Sequence, residues 1–175
     1  MKRNIVMLMV AALFASCGAN TSYTLQGSIV DSTYNGATAY LYINGEAQDS
    51  TAVENNAFAF TGDVETPTMA RVQIQQEKSR VRAQVVLEPG QINMEIVDRS
   101  TNTVSGTPLN EAYAAYTKQW NEVYNTFREG YMALRQNKEL SDEDRAAETK
   151  KLREVYSAAS EQLDQELFAA HKDDI

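Results

Sequence analysis

Cysteine is nearly missing from this chain: among 175 residues only Cys17 occurs. No disulfide can form within it, and no cysteine cluster can hold a metal. Histidine is as scarce. His171 stands alone beside Lys172 near the chain end. One imidazole builds neither a metal site nor a catalytic triad, so a solvated surface role is expected. Long apolar runs are missing too. The stretch Ile5 to Phe14 is about half of the roughly 20 residues that cross a bilayer as a helix. There is no Gly-rich phosphate loop and no Gly-x-Ser-x-Gly elbow. Bases are outnumbered, 16 Lys and Arg against 24 Asp and Glu, for a net charge of −8. An acidic surface repels phosphate backbones, so nucleic acid is not expected as a partner. It also gives no electrostatic pull toward anionic lipid headgroups.

What is present begins at the N-terminus. Lys2 and Arg3 precede the apolar run, and Ala15-Ser16 precede Cys17. Basic, apolar, then small is the order of a secretory signal peptide. The stretch Leu13-Phe14-Ala15-Ser16-Cys17 resembles a lipobox, the motif of secreted proteins whose new N-terminal cysteine carries lipid. Phe14 departs from the small aliphatic residue usual at its position. The resemblance implies that residues 1–16 are a signal peptide, that Cys17 is the lipidation site, and that 17–22 are a tether. Contact with the membrane then comes from acyl chains. One chain holds only marginally and each buried methylene adds about 0.8 kcal/mol, so several chains on one residue anchor stably. Gly18 to Ser22 contain no acidic cluster. The expected location is therefore the cell envelope, exported and lipid-anchored, facing the periplasm.

From Tyr23 to about Ser105 apolar and polar residues alternate in short runs. Tyr23 to Val30 is followed by the turn-like Asp31 to Gly36, then by Ala37 to Ile43. Asn44-Gly45 predicts a hairpin turn, because both residues tolerate positive φ. Asp49 to Val53 and Ala57 to Phe60 flank the turn Glu54-Asn55-Asn56. Met69 to Gln75 and Val81 to Leu87 flank the charged stretch 76–80. Pro89-Gly90 fits the centre of a type II turn. Ile92 to Val97 and Thr103-Val104 complete the set.

At Thr107 the period changes. Thr107 is placed to cap a helix with Pro108 at its first position. Leu109, Tyr113, Tyr116, Trp120, Val123, Phe127, Tyr131 and Leu134 then recur at threes and fours, one stripe on one face. Gly130 is a weak spot of about 1 kcal/mol relative to Ala. Asn137 to Leu140 connect to a second helix opened by Ser141 and three acids at the positive end of its dipole. Its predicted stripe is Leu152, Val155, Tyr156, Ala159, Leu163 and Leu167. The fold class is α+β. An antiparallel β-sandwich or barrel-like module of seven or eight short strands, residues 23–106, precedes a long antiparallel α-helical hairpin, residues 107–175.

Candidate chemistry is sparse. Asp142, Glu143 and Asp144 are explained by helix-start preference, and no metal is expected there. No pair of acids is singled out for glycoside hydrolysis. Glu88, beside Pro89-Gly90, is the one carboxylate whose position looks specified. A turn-flanking acceptor of backbone N–H bonds is its favoured role, and it is kept as a candidate binding residue. Tyr40 and Tyr42, on one strand, are the other candidates, since tyrosines stack on sugars and anchor protein contacts. The helical aromatics, at helical spacing, read as packing. No catalytic residue, no metal site and no cofactor is assigned.

An ordered series of short motifs carries a family resemblance. It runs through Tyr23-Thr24-Leu25-Gln26-Gly27, Ala39-Tyr40-Leu41, Asp49-Ser50, Ala57-Phe58-Ala59-Phe60-Thr61-Gly62 and Pro67. It continues through Val85-Val86-Leu87-Glu88-Pro89-Gly90 and Val104-Ser105-Gly106-Thr107-Pro108-Leu109-Asn110. The series resembles the N-terminal domain of unknown function of Bacteroidota lipoproteins related to thiol–disulfide interchange proteins of the thioredoxin family. In longer relatives the resemblance implies a following thioredoxin-like domain with Cys-x-x-Cys. This chain has no Cys-x-x-Cys, so no catalytic residue carries over. The tail Phe168 to Ile175 reads as a mid-chain connection more than a designed end. The expected function is a non-catalytic envelope lipoprotein, an accessory or binding module that contacts a partner protein or envelope component. The alternatives are the N-terminal portion of a membrane-anchored thiol–disulfide oxidoreductase and, more weakly, a glycan-binding lipoprotein.

Overall fold

The computed structural model describes residues 21–77, 79–99 and 101–171. The signal peptide and Cys17 expected from the sequence lie outside them. Eight strands come first: β1 Ser22–Ile29, β2 Thr38–Ile43, β3 Glu46–Ala52, β4 Ala57–Asp63, β5 Thr68–Gln76, β6 Ser79–Leu87, β7 Gly90–Ile96 and β8 Asn102–Ser105. Two helices follow, α1 Pro108–Gln136 and α2 Asp142–His171. The strands form two four-stranded sheets, β4-β1-β7-β8 and β3-β2-β5-β6. They pack as an open sandwich, as the alternation predicts.

Alternation decides which face is inside. Tyr23, Leu25, Gly27 and Ile29 of β1 point into the sandwich, while Ser22, Gln26 and Ser28 face out. Leu41, Val72, Val85 and Ile92 are fully enclosed between the sheets. Burying each such side chain contributes about 1.5–3 kcal/mol. The turn Asn44-Gly45 has φ of 52° and 86°, the left-handed pair a tight hairpin needs.

One pairing departs from an all-antiparallel module. β1 and β7 run parallel, from Tyr23 beside Gly90 to Ile29 beside Ile96. A parallel pair needs a long crossover. Here the whole second sheet supplies it. The chain leaves the first sheet after β1, builds β2 and β3, and re-enters for β4. It then builds β5 and β6 before returning for β7.

Two aromatic rings lie over glycines at the β1–β4 seam. Tyr23 pairs with Gly62, and Phe58 with Gly27. A Cβ on Gly27 would stand 2.0 Å from Phe58 Cζ, and one on Gly62 2.9 Å from the Tyr23 hydroxyl. The two residue types occur at the same spacing on both strands, so the seam is locally two-fold. Each ring fills the space its partner lacks, and a slipped register would put rings against side chains.

The hairpin is built differently. Only Leu109 and Asn110 of α1 are buried, at its root. The rest of the α1 stripe is half-buried against α2. Gly130 is more than a weak spot: a Cβ there would lie 3.1 Å from Leu152, so it admits the second helix. Ser141 caps α2 as expected, accepting the Asp144 N–H at 3.1 Å. Val155, expected in the α2 stripe, is 67% exposed. Along most of its length α2 packs on α1, and that narrow seam takes Leu152, Tyr156, Ala159 and Leu163 and leaves Val155 outside. Tyr116 donates to Asp164 at 2.6 Å across the seam. That bond, with some desolvation, pushes the phenol up to about 12. Folding therefore favours the protonated phenol, a contribution present below pH 10 and lost as pH rises through about 12.

Gly27→Ala should destabilise the protein by about 1–3 kcal/mol in denaturant unfolding, because Phe58 must leave its seat. Adding Phe58→Leu should recover part of that loss. Simple additivity of the two changes would show that the ring does not occupy the glycine's space.

Candidate functional site

The sequence candidates fall in two places. Tyr40 and Tyr42 lie on the outer face of the second sheet, and Glu88 lies at the root of the hairpin.

β2 turns Ala39 and Leu41 inward, so Tyr40 and Tyr42 face out and are half-buried. Their ring centroids are 6.3 Å apart and tilted by 52°. Register sets their neighbours. Tyr42 stands opposite Arg71 of β5, and Tyr40 opposite Gln73. Arg71 lays its guanidinium 4.8 Å from the centre of the Tyr42 ring. A cation over a ring at this distance contributes about 0.5–1 kcal/mol when exposed and more when desolvated. Behind it, Arg82 of β6 donates Nε–H to Gln73 Oε1 at 2.9 Å. This packs Gln73 to 5% exposure on the outer side of the sheet. The face is thus an aromatic pair edged by two arginines. Arg71 was not legible as a member, because nothing local in the sequence ties β5 to β2.

Glu88 is placed elsewhere, at the start of α1, and is 6% exposed. Its Oε1 accepts the N–H of Leu109 at 2.8 Å and of Asn110 at 3.0 Å. The backbone donors expected of it are found, but they belong to α1 and not to its own turn. Pro108 has no N–H, and Glu111 N–H already reaches the Thr107 carbonyl at 3.0 Å. Glu88 therefore takes the two donors that the helix start leaves open, at the positive end of its dipole. Thr107 holds the cap position but makes no side-chain bond to the helix backbone. Its hydroxyl accepts instead from Asn110 Nδ2 at 2.8 Å.

Asn110 has no exposed surface. Its Oδ1 accepts the Val86 N–H at 3.0 Å, and its Nδ2 donates to the Val86 carbonyl at 2.7 Å. One carboxamide thus pairs both backbone groups of Val86, as a neighbouring strand would, at the outer edge of β6. Sequence reading missed Asn110, and only its place three residues after Thr107 hinted at a helix-start role. The arrangement is a structural junction. It has no free nucleophile and no paired acids.

Elsewhere the electrostatics are plain. Burial, then the Asp49 and Asp63 carboxylates, raise the Tyr23 phenol above its ordinary value. Among the described residues no group of three or more His, Asp or Glu is placed to hold a metal ion. Among them, too, no helix is long and apolar enough to cross a membrane.

Asn110→Ala would leave the Val86 N–H and carbonyl unpaired in a buried place. Each such group costs about 1–3 kcal/mol, so a loss of about 3 kcal/mol is expected in urea unfolding. Asn110→Asp keeps the shape but loses the donor, and should recover little. Near-normal stability of both variants would show that the junction does not hold.

No curated protein matches the chain. Among solved structures, 5-hydroxyisourate hydrolase of Klebsiella pneumoniae is similar over 49% of this chain and 99% of that one, at 12% identity and a TM-score of 0.35. A likeness that small carries no argument about fold or activity. A family pattern matches residues 23–113, just over half of the chain, from β1 into the first turns of α1. The chain belongs to the family described as Domain of unknown function (DUF4369).

Proposed function

We propose that this chain is a non-catalytic accessory module of the cell envelope. A lipid on Cys17 holds it, facing the periplasm, and it meets a partner protein through the outer face of the second sheet. The finer resemblance, to modules that precede thioredoxin-like domains, belongs to the same reading. The observation that carries the binding role is the grouping of Tyr40, Tyr42 and Arg71. Tyrosine and arginine are the residues in which interface energy concentrates. They are stiffened here by the strands that carry them and by each other, so little freedom is lost when a partner docks.

Two measurements test this. A photoreactive benzoylphenylalanine at Tyr40, illuminated in native membranes, should give one discrete protein adduct that Arg71→Ala abolishes. The same probe at Gln48, on the exposed edge strand β3, should give none. No adduct at Tyr40, or equal adducts at both positions, would remove the docking face. Intact mass spectrometry of membrane-extracted protein should show Cys17 as an acylated first residue. A protein that retains residues 1–16 would overturn the anchor.

A further inference from the structure

A cleft between the edge of β6, the strand β8 and the flank of α1 has a charge opposite to that of the chain. Its volume is about 830 Å³, inside the roughly 300–1,000 Å³ of small-ligand sites. Arg71, Arg82 and Lys118 line it, against one carboxylate, Glu122. The chain as a whole carries −8. Among the described residues the ion pairs are Lys150 with Glu154 and Lys151 with Glu148, all on α2. No ion pair neutralises the three cations of the cleft. Arg71 Nε is also buried with no hydrogen-bond partner among the described residues. Arg82 and Lys118 are exposed, so solvent screens them, and the cost that an anion relieves is centred on the half-buried Arg71.

The remaining lining narrows the ligand class. Gln84, Asn102, Asn121 and Asn125 present carboxamides, each both donor and acceptor. Tyr113 adds a ring at the α1 side. Carboxamides and a ring suit a polyol, whose hydroxyls also donate and accept. Guanidinium and ammonium groups suit carboxylate or sulfate. An acidic peptide would want apolar seats for its side chains. An apolar cleft, between Pro67, Met69, Val86 and Leu167, adjoins this one only through Tyr113, which lines both.

We propose that this cleft binds an anionic saccharide. Arg71, Arg82 and Lys118 hold its carboxylates or sulfates, and the carboxamides hold its hydroxyls. The cleft adjoins the tyrosine face, and Arg71 and Arg82 border both. Its test turns on Lys118, which belongs to the cleft and not to the tyrosine face, so either surface can fail without the other.

Titration calorimetry on the purified full chain would compare four probes: trigalacturonate, a sulfated heparin tetrasaccharide, neutral galactotriose and hexaglutamate. At least one anionic saccharide should bind at least tenfold more tightly than galactotriose and hexaglutamate, and more weakly as salt rises. Lys118→Glu and Arg82→Gln should each lower that affinity at least tenfold. Lys118 is exposed, so its variant should melt like the parent and decides alone if Arg82→Gln does not fold. The proposal is overturned if neither anionic saccharide binds, if hexaglutamate binds as tightly, or if Lys118→Glu leaves the affinity unchanged.

Discussion

A helix that starts inside a protein must find partners for its first N–H groups, and the rest of this architecture follows from how that need is met. α1 begins against β6, where water cannot serve its donors. Glu88, 22 residues earlier than Asn110, takes the Leu109 and Asn110 N–H groups. Asn110 in turn pairs both backbone groups of Val86. The same few atoms therefore finish a helix, finish a sheet edge and bind the two together. Glu88 also sits where the chain passes from one sheet to the other. A single carboxylate thus fixes the crossing and the direction in which the hairpin leaves.

The sandwich explains why such a junction is needed. Its sheets are not closed into a barrel, and β6 and β8 are edges on one side. An open edge invites pairing with another chain. α1 packs against both of these strands. On the other side the tight turn at Asn55 and Asn56, both at positive φ, carries the chain from β3 to β4 and ties the two edges there. The ring-over-glycine pairs then set the register of the central strand. The core holds the sheets together, while these few local contacts decide which arrangement of sheets is held.

Much of this is legible in the sequence. Alternation placed every strand to within a few residues, and Asn44-Gly45 and Ser141 marked a turn and a helix start by chemistry that acts at short range. Other features had no local signal. The parallel pairing of β1 with β7 joins segments more than 60 residues apart, and alternation says which face is buried but not which strand lies beside which. Arg71 joins Tyr42 through register alone. Glu88 was singled out by its place beside a turn, yet its partners lie on a helix that the same reading treated as self-capped by Thr107. Val155 lies outside the seam because a helix that packs on one neighbour along most of its length buries a narrower stripe than one lying on a sheet.

β1 enters the fold directly from the N-terminal segment and lies second in its sheet, with a ladder to β4 on one side and to β7 on the other. Tension applied through that segment runs along the strand axis, across both ladders. Such a load cannot open the sheet one hydrogen bond at a time, as peeling an edge strand would; it must shear many together. A pull received from the N-terminal side is therefore met by two ladders loaded in shear, the geometry in which hydrogen bonds share a force.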